Sequence, residues 1–293
     1  MQNSSQQTKV NPLVSLMRQP KLHIKLPSRG QYWPKGSLTS APNDEFPVYS
    51  MTAKDEITFK TPDALLNGQA IVDVIQSCIP AIKDAWRCPN MDLDTLLIAI
   101  RLASYGEMME VTHTVPGTTE QVTHNVDLRL LLDQLSNIGT WEDAVELDID
   151  LTCFVRPITY KDITQSALQT FEAQRFMQSV ADESIPEEDR IRILNQSFDK
   201  IADVNFDLVI NSVVAIQTAD TVVEDKNFIR EFLQNADKNI FEKIQSHLNK
   251  MKDAVTLKPL RFQATDDQIA AGAPAEYELP IRMDNADFFV LGS

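Results

Sequence analysis

The chain has 293 residues, 43% hydrophobic and 24% charged, enough to bury a sizeable core in one large domain or two ordinary ones. Its 27 basic against 42 acidic residues leave a net charge of −15, which repels phosphate backbones and anionic lipid and argues against nucleic acid or membrane partners. No run approaches the roughly 20 apolar residues of a membrane span, and Cys78, Cys88 and Cys153 lack C-x-x-C spacing, so they read as small hydrophobes of a reducing compartment.

Residues 1–20 are rich in Gln, Ser and Asn, with one apolar cluster at Leu13, Val14, Leu16 and Met17. That is too little apolar surface to offset the entropy of ordering, so a partner is expected to hold this arm. The start, Met1 to Val10, has no apolar signal-peptide core, and the product is expected to stay in the cytoplasm where it is made. Between Ile24 and Leu38, Pro27, Gly30, Pro34 and Gly36 forbid a long helix and predict an extended, turning segment. A turn needs Pro27 and Gly30 but does not need Arg29, Tyr32 and Trp33 together. These five are candidates for contact with another protein; the competing reading is that Tyr32 and Trp33 merely cover a helix at 94–105.

Thr52 followed by Asp55 predicts a capped helix start, and Thr61-Pro62-Asp63 a second short helix with proline at its first position. Ile71, Val72, Val74 and Ile75 keep helical spacing until Pro80, and Pro80 and Pro89 bracket a turn or two around Trp86. The run from Asp94 to Gly106 predicts the central helix, with Asp92 and Asp94 as acceptors at its start and Gly106 as its cap. Arg101 and Tyr105, four residues apart, share one face. Either Arg101 reaches out of a buried helix along its apolar stem, or the pair holds a neighbouring loop or a partner.

Taken in order, Leu26-Pro27-Ser28-Arg29-Gly30-Gln31-Tyr32-Trp33, then Met51-Thr52-Ala53-Lys54-Asp55-Glu56, then Asp94 to Gly106 with its Leu-Leu, Arg and Ser-Tyr-Gly, resemble the baseplate protein family of T-even-type (T4-like) tailed bacteriophages, in particular its baseplate hub assembly proteins. The resemblance spans residues 26–106 and returns at the C-terminus, where Asp284-Asn285-Ala286-Asp287-Phe288-Phe289 is similar to the family's acidic turn and paired aromatics. It implies a role through contact with other baseplate hub or tail proteins, in the host cytoplasm during assembly or in the virion. Phe288 and Phe289 join the contact candidates, since exposed rings so near the end would be costly.

Residues 110–126 alternate β-branched and polar residues around Pro116-Gly117 and predict a surface hairpin. Relatives resemble a zinc ribbon here, with cysteine pairs; this chain has His113 and His124 instead, and a closed zinc site needs four ligands. No structural metal is expected. A helix over Asp127 to Asn137 follows, with Leu128, Leu131, Leu132 and Leu135 as its core face. Strict alternation over 145–155 predicts one strand whose wet face carries Glu146, Asp148 and Asp150.

From Thr159 to Met251 there is no glycine and only Pro186, which predicts helices over roughly 160–180, 187–201, 204–219, 225–235 and 237–253. Residues 257–293 return to β character. The four histidines are scattered, and no Gly-x-Ser-x-Gly, phosphate loop or His-Glu-x-x-His occurs. The expectation is therefore an α+β protein that is not an enzyme, takes no cofactor or small-molecule ligand, and acts by protein contact. Its parts are an arm and turn segment (1–45), an α+β domain (46–155), a helical module (156–253) inserted between sheet strands, and C-terminal strands (254–293) that rejoin the sheet. The alternatives are an acidic metal-dependent enzyme and a host-directed binding protein.

Overall fold

A computed structural model describes Leu13 and residues 17–61, 68–179 and 186–281. Most of the N-terminal arm, the short helix begun by Thr61-Pro62-Asp63, and Phe288 and Phe289 lie outside the described residues. The fold is α+β, with four small antiparallel sheets among the described residues.

The strands β1 (Pro20–Ile24) and β2 (Phe46–Tyr49) pair antiparallel on either side of the turning segment. Helix α1 (Ala53–Phe59) starts in a capping box in which the Thr52 hydroxyl accepts from Asp55 N–H and the Asp55 carboxylate accepts from Thr52 N–H. Helix α2 (Gln69–Cys78) buries Ile71, Val72, Val74 and Ile75, the predicted face. Helix α3 (Asn90–Tyr105) is the axis of this half. Leu96, Leu97, Ile98, Ala99 and Ile100 are buried all round, as befits a helix with neighbours on every side. It closes at Gly106, whose N–H donates to Leu102 O. Its start differs from expectation. Pro89 precedes the first turn, and the Asp92 carboxylate turns away from its own helix toward the turning segment.

The strands β3 (Met108–Thr114) and β4 (Gln121–Asp127) form the predicted hairpin, and α4 (Leu128–Ser136) lays Leu128, Leu131 and Leu135 on α3. The segment predicted as one strand is two. β5 (Ala144–Asp148) and β6 (Leu151–Val155) pair antiparallel around Ile149 and Asp150. Period-two alternation cannot distinguish a long strand from a tight hairpin, because both strands keep the same inward face. The decisive feature is Asp150 at φ 59, a left-handed position that aspartate tolerates.

The next two helices, α5 (Tyr160–Ser179) and α6 (Glu187–Ser212), pack on each other as a long pair. One 26-residue helix replaces the two expected over 187–219. It stops at Ser212 because Val213, Val214 and Ile216 are β-branched residues that suit a strand. That strand, β7 (Val213–Gln217), pairs with β6 and with the short β8 (Val222–Val223), so the α5–α6 pair is an insertion between adjacent strands of a four-stranded sheet. Helices α7 (Lys226–Asn235) and α8 (Lys238–Val255) then cover that sheet with Ile229, Leu233, Ile244 and Met251.

The C-terminal strands β9 (Leu260–Gln263) and β10 (Glu276–Leu279), linked through α9 (Asp266–Ala270), pair only with each other. The single sheet expected from 111–126, 145–155 and the C-terminal strands does not form. Instead the β9–β10 pair lies over the β3–β4 hairpin, burying Val115, Ala273 and Tyr277 with Val122, Phe262 and Ala264. Side chains join these two layers where hydrogen bonds were expected. The β3–β4 hairpin is therefore covered on one face and is not a free surface element.

Candidate functional site

The Leu26–Trp33 segment is a chain of tight turns. Arg29 N–H donates to Leu26 O at 2.9 Å, Gln31 N–H to Ser28 O at 3.0 Å and Trp33 N–H to Gly30 O at 3.4 Å. Arg29 at φ 51 and Gly30 at φ 76 supply consecutive left-handed residues, and only the second is free of a Cβ penalty. Something must hold Arg29 there, and that is Asp92. Its carboxylate accepts from Ser28 N–H at 2.8 Å, from the Ser28 hydroxyl at 2.5 Å and from the Trp33 indole N–H at 2.7 Å.

Asp92 is fully buried, and burial pushes its pKa up to about 6, against the pull of the three donors toward the charged form. All three contacts are donated to it, which favours the charged form without offsetting the whole cost of burying it. One acid in the first turn of α3 thus fixes Leu-Pro-Ser-Arg-Gly as a tight turn with Leu26 and Ser28 buried and Arg29 exposed.

The sequence-derived candidates divide accordingly. Trp33 is 7% exposed and belongs to the core, as does Arg101 at 5%, so neither offers a face to a partner; the reading in which Trp33 covers the helix is the one that fits. Burial lowers the Arg101 pKa, and its guanidinium lies 5.5 Å from the Tyr105 ring. The Tyr105 hydroxyl donates to Glu56 at 3.3 Å and is pushed up to about 12, first by burial and then by that carboxylate. This pair ties α3 to α1, the neighbouring-element role. Pro27, Arg29, Gly30 and Tyr32 remain at the surface or half-buried, and Arg29 is exposed. It forms no ion pair with the described residues.

Tyr32 reaches the other half of the molecule. Its hydroxyl donates to Asp143 at 2.7 Å and its ring meets Trp141 edge-on, with centroids 6.4 Å apart. Burial and Asp143 together raise its pKa. Beside this bridge opens a cleft of about 740 Å³, floored by Leu132, Leu135 and Ile138 and rimmed by Lys25, Arg29 and Glu45. Lys25 and Glu45 face each other at 3.5 Å. An apolar floor with charges of both signs at the rim suits a polypeptide segment, which carries apolar side chains and polar backbone together. Sequence reasoning missed Trp141 and Asp143, which lie more than a hundred residues from Tyr32. It read Asp92 only as a helix cap, since an acid in a helix start that also holds Asn90 and Asp94 gives no sign of a distant donor.

Among the described residues no three His, Cys, Asp or Glu side chains converge as a metal set. His113 and His124 stack on each other with centroids 5.3 Å apart, inside a cluster with Phe262 and Tyr277. The three described cysteines are free and buried, and burial raises the pKa of each.

A family model described as T4 bacteriophage base plate protein matches residues 20–266, which extends the likeness well past the N-terminal motifs. No curated protein matches the chain, and no solved structure matches it.

Proposed function

The chain belongs to the T4 bacteriophage base plate protein family, and from that premise we propose that it acts at the baseplate hub, as a hub subunit or as a factor that assembles the hub, by protein contact and without catalysis. A role in the structure or assembly of the phage baseplate follows from the family itself. The hub-specific reading rests on the resemblance of residues 26–106, and the contact reading is supported by the Arg29 turn. A buried acid is spent on holding an exposed arginine in a left-handed conformation at the rim of a cleft, which is how a recognition residue is presented. Arginine on a rigid support is well suited to a partner's carboxylate or backbone carbonyls.

The test combines mass spectrometry of intact particles with isolation of incomplete hub complexes from infected cells. Stoichiometric copies in the finished particle identify a hub subunit. Enrichment on incomplete hub complexes alone identifies an assembly factor. Absence from both, with the protein found instead on wedge intermediates, overturns the hub reading and leaves the baseplate role intact. An Arg29→Glu chain that melts like the wild type but no longer associates would place the contact at this turn.

A further inference from the structure

Helix α6 is 26 residues long, about 39 Å at 1.5 Å per residue. Its C-terminal half is packed into the body: Phe206 stacks on Phe241 of α8 with centroids 5.3 Å apart, and Val209 and Ile210 are buried. Toward its N-terminus two large apolar side chains stand in solvent, Ile191 at 53% and Phe198 at 56% exposed. They are seven residues apart, with Leu194 and Ile201 half-buried three positions after each. Continuing the same steps gives Asn205, Leu208 and Ser212, so 191, 194, 198, 201, 205, 208 and 212 keep the spacing of a helix-pairing seam.

The last three of these line a groove of about 280 Å³. Its opposite wall is α8, through Gln245, Leu248, Asn249 and Lys252, and Trp141 contributes to its floor. The exposed pair and the groove therefore form one track about 31 Å long. A groove between two helices that continues as an apolar stripe at heptad spacing fits a third helix.

We infer that this track seats a single amphipathic helix of another protein, one whose apolar stripe is flanked by Lys or Arg. Glu187 and Glu188 lie one turn before Ile191, at the open end of the track. Neither forms an ion pair among the described residues, whereas Asp189 in the same turn is matched by Arg192. A second copy of this chain, at −15, would set the same carboxylates against them. Lys252 is the only cation among the groove residues, so the partner's basic residues lie over the Glu187 end. The groove end shares Met91 and Trp141 with the Arg29 cleft, while the Ile191–Phe198 stripe lies outside it, and the inference needs no assumption about the hub.

The test uses the full chain and a labelled synthetic helix of about 20 residues, with Leu at the seam positions and Lys beside them. A counterpart with Glu for Lys serves as control, and the readout is fluorescence anisotropy at low and high salt. The Lys helix binds, more weakly as salt rises, and the Glu helix does not. The neutral double variant Ile191→Ser, Phe198→Ser loses roughly tenfold or more in affinity. Glu187→Gln with Glu188→Gln leaves the apolar track untouched and lowers both the affinity and its salt dependence. Equal binding of the Lys helix to wild type and to the serine variant overturns the proposal, because it places the attraction elsewhere on the acidic surface. So does binding of the Glu helix, and so does a concentration-dependent dimer in sedimentation that the serine variant abolishes.

Discussion

Two buried polar sites in this molecule work in opposite ways. Around Asp92 every donor in reach is answered by a carboxylate oxygen, and the result is one fixed turn carrying Arg29. Around His113 and His124 the ring faces are packed, yet the Nδ1 of His113 and the Nε2 of His124 are buried with no hydrogen-bond partner. His113 Nε2 alone meets the Tyr277 hydroxyl, at 3.2 Å. A saturated buried charge specifies shape, whereas the under-paired His113 ring, its pKa lowered by burial, packs between two layers best as the neutral form. The first site sits in the large core around α3; the second holds a small satellite of two hairpins.

The strongest way to break the contrast is to remove Asp92. Asp92→Ala leaves the Ser28 and Trp33 donors buried and unanswered and is expected to cost about 3 kcal/mol or more, read by urea unfolding. A loss under about 1 kcal/mol would mean that the turn stands without its anchor. Gly117→Ala strikes the satellite instead. Gly117 has φ 79, and a Cβ there would lie 2.4 Å from Gly272 O. The backbone must move, and about 2 kcal/mol should be lost locally. Hydrogen exchange should accelerate in β9 and β10 while α3 stays protected.

Acid sharpens the comparison, because the two sites carry opposite signs. Burial, then the neighbouring His124, lowers the His113 pKa in the folded chain. The unfolded chain therefore binds that proton more readily, and this contribution is present above the ordinary histidine value near 6.5 and lost as pH falls below it. Asp92 has a folded pKa raised to about 6, from 3.8. Its contribution is complete below 3.8 and lost as pH rises through about 6. Between pH 7 and pH 5, exchange protection should fall in β9–β10 and hold or rise around the 28–33 turn. Protection that falls equally in both would show that the sites do not titrate separately, and His113→Phe should flatten the satellite's response. Arg29→Gly should do least to stability: relief of the left-handed residue offsets lost packing, and the change stays within about 0.5 kcal/mol by thermal melting. Association through the contact proposed at this turn is the property expected to suffer.

Local signals were legible wherever one segment decides its own shape. The Thr52 box, the Gly106 cap, the hairpin around Pro116-Gly117 and the apolar faces of α2 and α4 follow from spacing and caps, and their energy comes from neighbours within a few residues. The α+β class followed from the mixture of helical and alternating patterns; the insertion expected over 156–253 did not, because strand β7 lies inside that stretch and the C-terminal strands pair only with each other. The tight turn at Ile149-Asp150 and the strand β7 inside an apparently helical run were hidden, because two-fold alternation and β-branched residues each fit more than one partner arrangement.

The sequence by itself thus determined the acidic surface, many of the helices, the 108–127 hairpin and the Leu-Pro-Ser-Arg-Gly-Gln-Tyr-Trp segment as the unusual stretch of its N-terminal half. Only the tertiary structure decided what each residue of that stretch does. Trp33 and Arg29 stand four apart in one motif; the first is buried on Asp92 and the second is left in solvent. Likewise His113 and Phe262 are 149 positions apart in the chain, yet their rings lie 5.7 Å from each other. Such choices rest on donors, acceptors and ring faces brought together from distant positions. Pairings of that kind leave no local period, so they exist only once the layers have packed.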